Sequence, residues 1–257
     1  MQDLITDPWF FAAAIPSVIL VGLGKGGFGG AMALIGVPVM ALVISPVQAA
    51  AILLPILIVM DIVSLWTWRG VYDRTTLAYL LPGGMLGIAI GWATAAFVTV
   101  AMVRLIVGGV ALLFFLRWLT LRIGQRDGEP RPQSAWRATL WGAVSGFTSF
   151  VAHAGGPPYQ VYAMPLRHAP GVYAGTAVIF FAVVNAVKVV PYFALGQFDA
   201  TNLTASAVLM PVAALATLAG AAIVRRMKPE YFYNFMYSML FFVAAKLIYD
   251  GLTDILG

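Results

Sequence analysis

Long apolar runs separated by short polar turns constrain this chain more than any other feature. Each of the main runs reaches the roughly 20 residues that cross a bilayer as a helix. The predicted spans are 47–67, 76–98, 101–121, 171–194, 203–224 and 231–253. Only 10% of the residues are charged, against roughly 25% in a soluble domain. The pattern predicts an all-α, polytopic membrane protein.

Glycine-rich sequence interrupts the apolar pattern once in each half of the chain. The first stretch, GLGKGGFGG at 22–30, lies between apolar runs at 9–21 and 31–44, and the first of these has only about 13 residues. That is short for a full crossing. In the second half, an apolar pair over 136–166 is broken by HAGGPP at 153–158. Each stretch predicts a broken helical hairpin, and whether the hairpins are re-entrant or fully spanning is left open.

The two stretches belong to an internal repeat. With a displacement of 120 residues and no gaps, the matched residues are Gly22, Gly26, Gly36 and Pro38 with Gly142, Gly146, Gly156 and Pro158, and Lys25 with Ser145. The turns GVYD at 70–73 and GQFD at 196–199 also resemble each other. We therefore predict a first membrane repeat over 1–121, a cytoplasmic linker over 122–135 and a second membrane repeat over 136–257.

Basic residues predict the orientation, because cytoplasmic loops are enriched in lysine and arginine. Arginines lie in or beside the linker at Arg117, Arg122, Arg126, Arg131 and Arg137. The turns at 69–74 and 225–228 are also basic, whereas 196–202 has no basic residue. Counting from a cytoplasmic linker, each half has three full crossings beside its hairpin. An odd number of crossings inverts the second repeat relative to the first and places both termini outside.

The hairpin tips predict an anion-binding site. Inverted-repeat transporters bind substrate near the midplane, where the ends of broken helices supply partial charge. We expect a helix to begin after Lys25 and to present the N–H groups of Gly26 and Gly27 at its positive end. Neither tip contains a carboxylate. The predicted substrate-binding residues are Gly24, Lys25, Gly26, Gly27, Ser145, Gly146, Thr148, Ser149, His153, Gly155 and Gly156.

Three polar residues within the predicted spans are candidates for ion coupling or gating. Asp61 lies in the middle third of its span, and Asn185 and Lys188 lie one turn apart in the corresponding span of the second half. Such residues are costly in a membrane and are usually functional. Structural alternatives stay open: a salt bridge of Asp61, including one with Lys188, snorkelling of Lys25 to an interface, and a purely packing role for the glycines.

Several kinds of chemistry have no support in the sequence. The absence of cysteine rules out disulfides, thiolate ligands and cysteine nucleophiles. GLGKGG lacks the GKS or GKT ending and the strand–helix context of a P-loop, and neither a zinc motif nor a catalytic triad is present. We expect no enzymatic activity, no cofactor, no metal and no nucleic-acid partner. The expected partners are a small anion and the lipid bilayer, and a homodimer is left open.

The two hairpins resemble those of the TauE/SafE sulfite exporter family, also called TSUP. The similar segments are GLGKGGFGGAMALIGVPVMALV in the first half and SGFTSFVAHAGGPPYQVYAM in the second. The turns RGVYD and GQFDATN extend the resemblance through nearly the whole chain. It implies a multi-pass carrier of the bacterial inner membrane, here with periplasmic termini, that exports sulfite or an organosulfonate such as sulfoacetate. The alternative is a proton- or cation-coupled importer of a small organic or inorganic anion that uses Asp61.

Overall fold

The computed structural model describes residues 6–29, 36–94, 97–124, 130–194 and 200–256, and in these ranges the chain forms helices and turns without strands. The first half contains α1 (Pro8–Gly27), α2 (Gly36–Met40), α3 (Pro46–Thr67), α4 (Arg74–Thr94) and α5 (Val100–Ile123). The second half contains α6 (Ala135–Ala152), α7 (Gly156–Ala163), α8 (Pro170–Ala194), α9 (Ala200–Arg226) and α10 (Pro229–Leu256), and a 3-10 turn (Met164–Leu166) follows α7.

Within the described residues, seven helices are long and apolar enough to cross a membrane: α1, α3, α4, α5, α8, α9 and α10. The predicted all-α, polytopic class is confirmed. The six predicted spans correspond to all of these helices except α1, and most ends differ by only a few residues. The largest difference is at the end of α4, which stops at Thr94 rather than at 98. The next helix, α5, begins after Thr99, whose hydroxyl accepts a hydrogen bond from the Met102 N–H (3.3 Å).

The first glycine-rich stretch does not break the helix where the sequence predicts. Helix α1 has 20 residues and continues through Lys25 to Gly27. The break follows at Gly29, which has a positive φ of 63°. Glycine weakens an isolated helix, but here it permits close packing: a Cβ on Gly26 would lie 2.3 Å from the Thr217 carbonyl oxygen of α9. The packing role that the sequence left open is therefore real for Gly26.

Helix α6 also packs closely on α4 at glycine positions. A Cβ on Gly87 would lie 2.0 Å from the Ala143 carbonyl oxygen, and a Cβ on Gly146 would lie 2.1 Å from the Gly84 carbonyl oxygen. Only residues without a side chain allow backbones to approach this closely. The first long helix of each half is thus packed against a spanning helix of the other half.

The contacts also fix the relative directions of the helices. Along α1 and α9, Gly22 lies opposite Ala216 and Gly26 opposite Ala221, so these helices are parallel. Helix α3 is parallel to α9 as well, α4 returns antiparallel to α3 after the short turn at 68–73, and α4 and α6 are parallel. Corresponding helices of the two halves, such as α1 and α6, therefore run in opposite directions. Inverted repeats require this arrangement, while the repeat boundaries and the membrane faces stay predictions.

Two apolar clusters lie on either side of the polar centre of the molecule. One is formed mainly by α1, α3 and α9 and includes Phe10, Ile56 and Leu209. The other is formed largely by α4, α7 and α8 and includes Tyr159 and Phe180. Helices α5 and α10 pack antiparallel, and the pairs Arg104–Asp254 and Arg122–Glu230 connect them toward their two ends.

A candidate anion site between the two hairpins

A cluster of buried polar side chains lies where α1, α3, α8 and the α6–α7 hairpin meet. Lys25 is 6% exposed, Asp61 4%, Asn185 5% and Lys188 1%. Polar groups at this depth are stable only when their charges and hydrogen bonds are matched. The partners of each group therefore show which charge in the cluster has no counter-charge among the described residues.

Asp61 is fully matched by two partners. The Lys25 ammonium forms an ion pair with its Oδ1, and the Asn185 Nδ2 donates to its Oδ2 at 2.7 Å. The end of α1 is held in place by α3, where the Ser64 hydroxyl donates to the Lys25 carbonyl oxygen at 3.2 Å. The Trp68 indole donates to the Gly26 carbonyl oxygen at 2.7 Å. These bonds satisfy carbonyls that the last turn of a helix leaves free.

Lys188 is a buried lysine whose hydrogen-bond partners are all neutral groups. Its Nζ donates to the Ser149 carbonyl oxygen at 2.9 Å and lies 3.4 Å from the Ser149 hydroxyl and 3.3 Å from the His153 Nδ1. An ammonium has no acceptor, so the Nδ1 accepts and a neutral His153 carries its proton on Nε2. Within the described part of the chain, no carboxylate forms an ion pair with Lys188.

The backbone at His153 shapes the tip of the second hairpin. His153 ends α6 with a φ of 52°, in the left-handed region that non-glycine residues rarely adopt and that often marks functional sites. A Cβ on Gly155 would lie 2.9 Å from the Ser145 carbonyl oxygen, so this tight turn requires glycine. Helix α7 then begins at Gly156 with proline in its first turn, so the second hairpin is broken within HAGGPP, as predicted.

A cavity of about 40 Å³ lies inside the cluster. By this measure, roughly 10–15 Å³ holds one water molecule, so the space suits a small oxyanion of a few heavy atoms. Its lining residues are Val21, Lys25, Leu53, Leu57, Ser149, His153, Gly155, Gly156, Phe181, Asn185 and Lys188. Two ammonium groups and the start of α7 therefore face a small, partly apolar space.

A family model described as sulfite exporter TauE/SafE matches residues 14–247. The chain belongs to this family. The resemblance of the two hairpins to TauE/SafE proteins is thereby confirmed. With seven helices among the described residues that could cross a membrane, the protein is a multi-pass membrane transporter. No curated protein and no solved structure matches the chain.

In this TauE/SafE protein, the structure gathers many of the predicted site residues around one cavity. Those on the cavity wall are Lys25, Ser149, His153, Gly155, Gly156, Asn185 and Lys188. Asp61 lies behind the wall, bonded to Lys25 and Asn185. Their role in substrate binding stays a prediction, but the two halves of the sequence do contribute to the same space.

The other predicted site residues lie away from the cavity wall. The Ser145 hydroxyl donates to the Gly155 carbonyl oxygen at 2.7 Å, and the Thr148 hydroxyl lies 3.0 Å from the Ala154 carbonyl oxygen. These two side chains therefore hold the hairpin closed. The predicted glycines that are buried between helices rather than at the cavity are Gly24, Gly26, Gly27 and Gly146.

One expectation about the charges is wrong, and two of the structural alternatives that the sequence left open do not occur. A helix does not begin after Lys25, because Gly26 and Gly27 form the last turn of α1, whose carbonyl end is negative. Positive charge at the cavity comes instead from the ammonium groups and the start of α7. Lys25 does not snorkel to an interface, since it is buried against Asp61. Asp61 pairs with Lys25 and not with Lys188.

Sequence reasoning missed the apolar part of the cavity wall. Phe181 precedes Asn185 by four residues in α8, and Leu57 precedes Asp61 by four in α3. Residues four apart share a helix face. This periodicity around the polar positions was the available signal, and it would have identified both side chains.

Proposed function

We propose that this protein transports small sulfur-containing anions, sulfite or an organosulfonate such as sulfoacetate, by alternating access, and that it exports them. The observation that carries the proposal is Lys188, a buried lysine whose hydrogen-bond partners are all neutral groups. Burying a charge without a counter-charge is strongly unfavourable. A bound anion beside Lys188 supplies the missing charge.

Charge counting supports a singly charged substrate. Lys25 and Lys188 contribute two positive charges to the cluster and Asp61 contributes one negative charge, so one positive charge remains. Hydrogen sulfite or a sulfonate with a single charge would neutralise it, whereas sulfate, or sulfoacetate with its carboxylate ionised, would leave an excess negative charge in a buried site. Charge complementarity therefore favours monoanions over dianions.

The size of the cavity supports a small anion in the closed form. At about 40 Å³, the space suits an inorganic oxyanion, and the carbon portion of sulfoacetate would need the cavity to widen. Alternating access provides such widening, because the substrate site opens to one side at a time. Sulfite is therefore the first substrate to test, and sulfoacetate the second.

The proposed direction follows from the membrane potential. In a bacterial inner membrane with a negative cytoplasm, an anion gains roughly 2.3 kcal/mol per charge per 100 mV when it leaves the cell. Export therefore requires no coupling ion. The basic turns and linker support a cytoplasmic linker and periplasmic termini.

Ligand-dependent thermal unfolding of the purified protein in detergent tests the proposal. The ligands are sulfite, sulfate, thiosulfate, sulfoacetate, taurine and acetate at matched ionic strength. A ligand that binds only the folded state raises Tm, and we expect the largest shift with sulfite and a smaller one with the doubly charged and larger sulfoacetate. Lys188→Met should abolish the shift, and Lys246→Met, which removes an exposed lysine of α10, should retain it. A shift that Lys188→Met retains would contradict the assigned site.

The buried carboxylate of Asp61 favours one alternative, a proton- or cation-coupled importer. Protonation of Asp61 would break its pair with Lys25 beside the cavity, and this would connect proton binding to the substrate site. Such an importer requires a proton or cation gradient for anion uptake into proteoliposomes and loses that requirement in Asp61→Asn. Transport driven by membrane potential alone would exclude it.

A further inference from the structure

Three arginines surround a second and larger cavity outside the central cluster. Arg117 of α5, Arg131 of the linker and Arg137 in the first turn of α6 line a space of about 180 Å³. We call this space the arginine pocket. Among the described residues, none of the three forms an ion pair with a carboxylate. Within the part of the chain that the structure describes, three like charges therefore converge on one cavity without a carboxylate partner.

The surrounding backbone holds two of these arginines in place. The Arg131 N–H donates to the Pro165 carbonyl oxygen at 2.9 Å, and the Arg137 Nη2 donates to the Pro132 carbonyl oxygen at 3.0 Å. Partial burial and the neighbouring charges of Arg117 and Arg137 lower the pKa of Arg131. The repulsion is thus maintained by the fold, and an anion in the pocket would relieve it.

The walls of the arginine pocket indicate the kind of anion. Phe114, Trp141 and Leu166 provide apolar surface next to the charged groups. Guanidinium groups bind phosphate through two parallel hydrogen bonds, while apolar walls favour a ligand with a carbon portion. The space is also larger than the central cavity, which holds about 40 Å³.

We propose that the arginine pocket binds the phosphate group of an organic phosphate ester, either the headgroup of an anionic lipid or a soluble ester. The pocket is separate from the central cavity. Helix α7, which has eight residues, lies between them, with Gly156 at the central cavity and Tyr162 at the arginine pocket. The proposal therefore does not rest on the proposed transport substrate.

Thermal unfolding of the full-length protein in nanodiscs tests this site. One arm adds glycerol 1-phosphate to discs of zwitterionic phosphatidylcholine, with chloride at matched ionic strength as the reference. The second arm compares these discs with discs that contain phosphatidylglycerol. A rise in Tm in the first arm identifies a soluble ester, and a rise only in the second identifies a lipid headgroup. Either result supports the site if it depends on the arginines.

Matched variants establish that dependence. Arg131→Gln/Arg137→Gln should need at least tenfold more ligand for half of the Tm shift, because each charged hydrogen bond contributes that much or more. Arg226→Gln, which removes an exposed arginine at the end of α9, should behave as wild type. Arg117→Gln changes an exposed side chain and gives the same test if the double variant does not fold.

Two outcomes would overturn the proposal. One is the absence of a shift with either phosphate source, or an equal shift in wild type and in the arginine variants. The other concerns Asp127 and Glu129 of the linker, which lie outside the described residues. Binding that appears only in Asp127→Asn/Glu129→Gln would mean that these carboxylates, and not a phosphate ester, are the ligands of the arginines. Retention of binding in Lys188→Met separates this site from the transport site.

Discussion

At the scale of single residues, the two buried lysines differ in their partners. Lys25 has a carboxylate, and Lys188 has a carbonyl oxygen, a hydroxyl and an imidazole nitrogen. The same side chain is therefore part of a neutral pair in one case and an uncompensated charge in the other. The sequence identified both lysines and Asp61 as unusual for a membrane span, but the pairing depends on which helices are adjacent, and apolar periodicity does not specify this.

The Lys25–Asp61 pair predicts a large effect of removing one partner. Asp61→Asn leaves Lys25 buried without a counter-charge and should lower the free energy of unfolding by about 3–5 kcal/mol. Lys25→Met/Asp61→Asn removes both charges and should recover most of that loss. Chemical denaturation of the two single variants and the double variant measures the coupling. Additive losses would show that the two side chains do not interact.

Lys188 predicts the opposite behaviour in the absence of ligand. Lys188→Met replaces an uncompensated buried cation with an apolar side chain of similar length, so the ligand-free protein should be as stable as wild type or more stable. The measurement is Tm without added anion, with Lys228→Met as the control, because Lys228 is exposed and none of the described carboxylates forms an ion pair with it. A Tm well below that of wild type would indicate that Lys188 has a structural role and does not await an anion.

At the scale of helices, glycine determines which pairs come close. The parallel pairs α1–α9 and α4–α6 depend on glycines whose missing Cβ leaves room for a neighbouring backbone. Hydropathy predicted the ends of six spanning helices to within a few residues. Hydropathy did not predict that α1 continues through Gly22 and Gly24. A glycine cluster weakens an isolated helix, and the packing of α1 against α9 that stabilises it is a tertiary effect.

Two glycine substitutions should therefore have opposite effects. Gly87→Ala places a methyl group where the Ala143 carbonyl oxygen lies 2.0 Å away, and overpacking of this kind costs about 1–3 kcal/mol. Gly109→Ala in α5 meets no atom within 4 Å and should be neutral or stabilising by up to about 1 kcal/mol. Thermal unfolding in detergent compares the two, and equal Tm values would refute the close-packing argument.

Asp73 connects the turn before α4 to the linker and predicts a pH dependence. Burial raises its pKa, but hydrogen bonds from the Thr76 N–H (2.6 Å) and the Gln133 side chain (2.8 Å) outweigh this and leave the pKa below its usual value. A lowered pKa contributes stability above the unfolded value of roughly 3.9, and this stability is lost as pH falls through the folded pKa. Asp73→Asn should flatten the decline in Tm below about pH 4. An unchanged decline would exclude Asp73 as its source.

At the scale of the whole molecule, both halves of the chain contribute to the polar centre. The 120-residue displacement of the glycine pattern predicted a repeat, and the polar centre combines Lys25 and Asp61 from the first half with Ser149, His153, Asn185 and Lys188 from the second. The small volume of the cavity could not be predicted from the sequence, because it depends on how closely the glycines bring the helices together.

The orientation can be tested directly because the chain has no cysteine. Thr201 lies at the start of α9, in the turn predicted to be periplasmic, and Lys228 lies in the basic turn predicted to be cytoplasmic. The two test variants are Thr201→Cys and Lys228→Cys. Both side chains are exposed. A membrane-impermeant maleimide should label Thr201→Cys in intact cells and Lys228→Cys only after the inner membrane is permeabilised. The reverse pattern would invert the proposed topology.

The pairing of α1 with α9 also has a consequence for biogenesis. Helix α1 ends at Gly27, and α9 begins only at Ala200. At 5–20 residues per second, the ribosome needs about 10–35 s to synthesise the intervening chain. During that interval the glycine face of α1 has no partner, and Lys25 and Asp61 are in the membrane before Asn185 has been made. The nascent first half therefore cannot reach its native packing by itself and must remain incompletely folded until the second half is inserted.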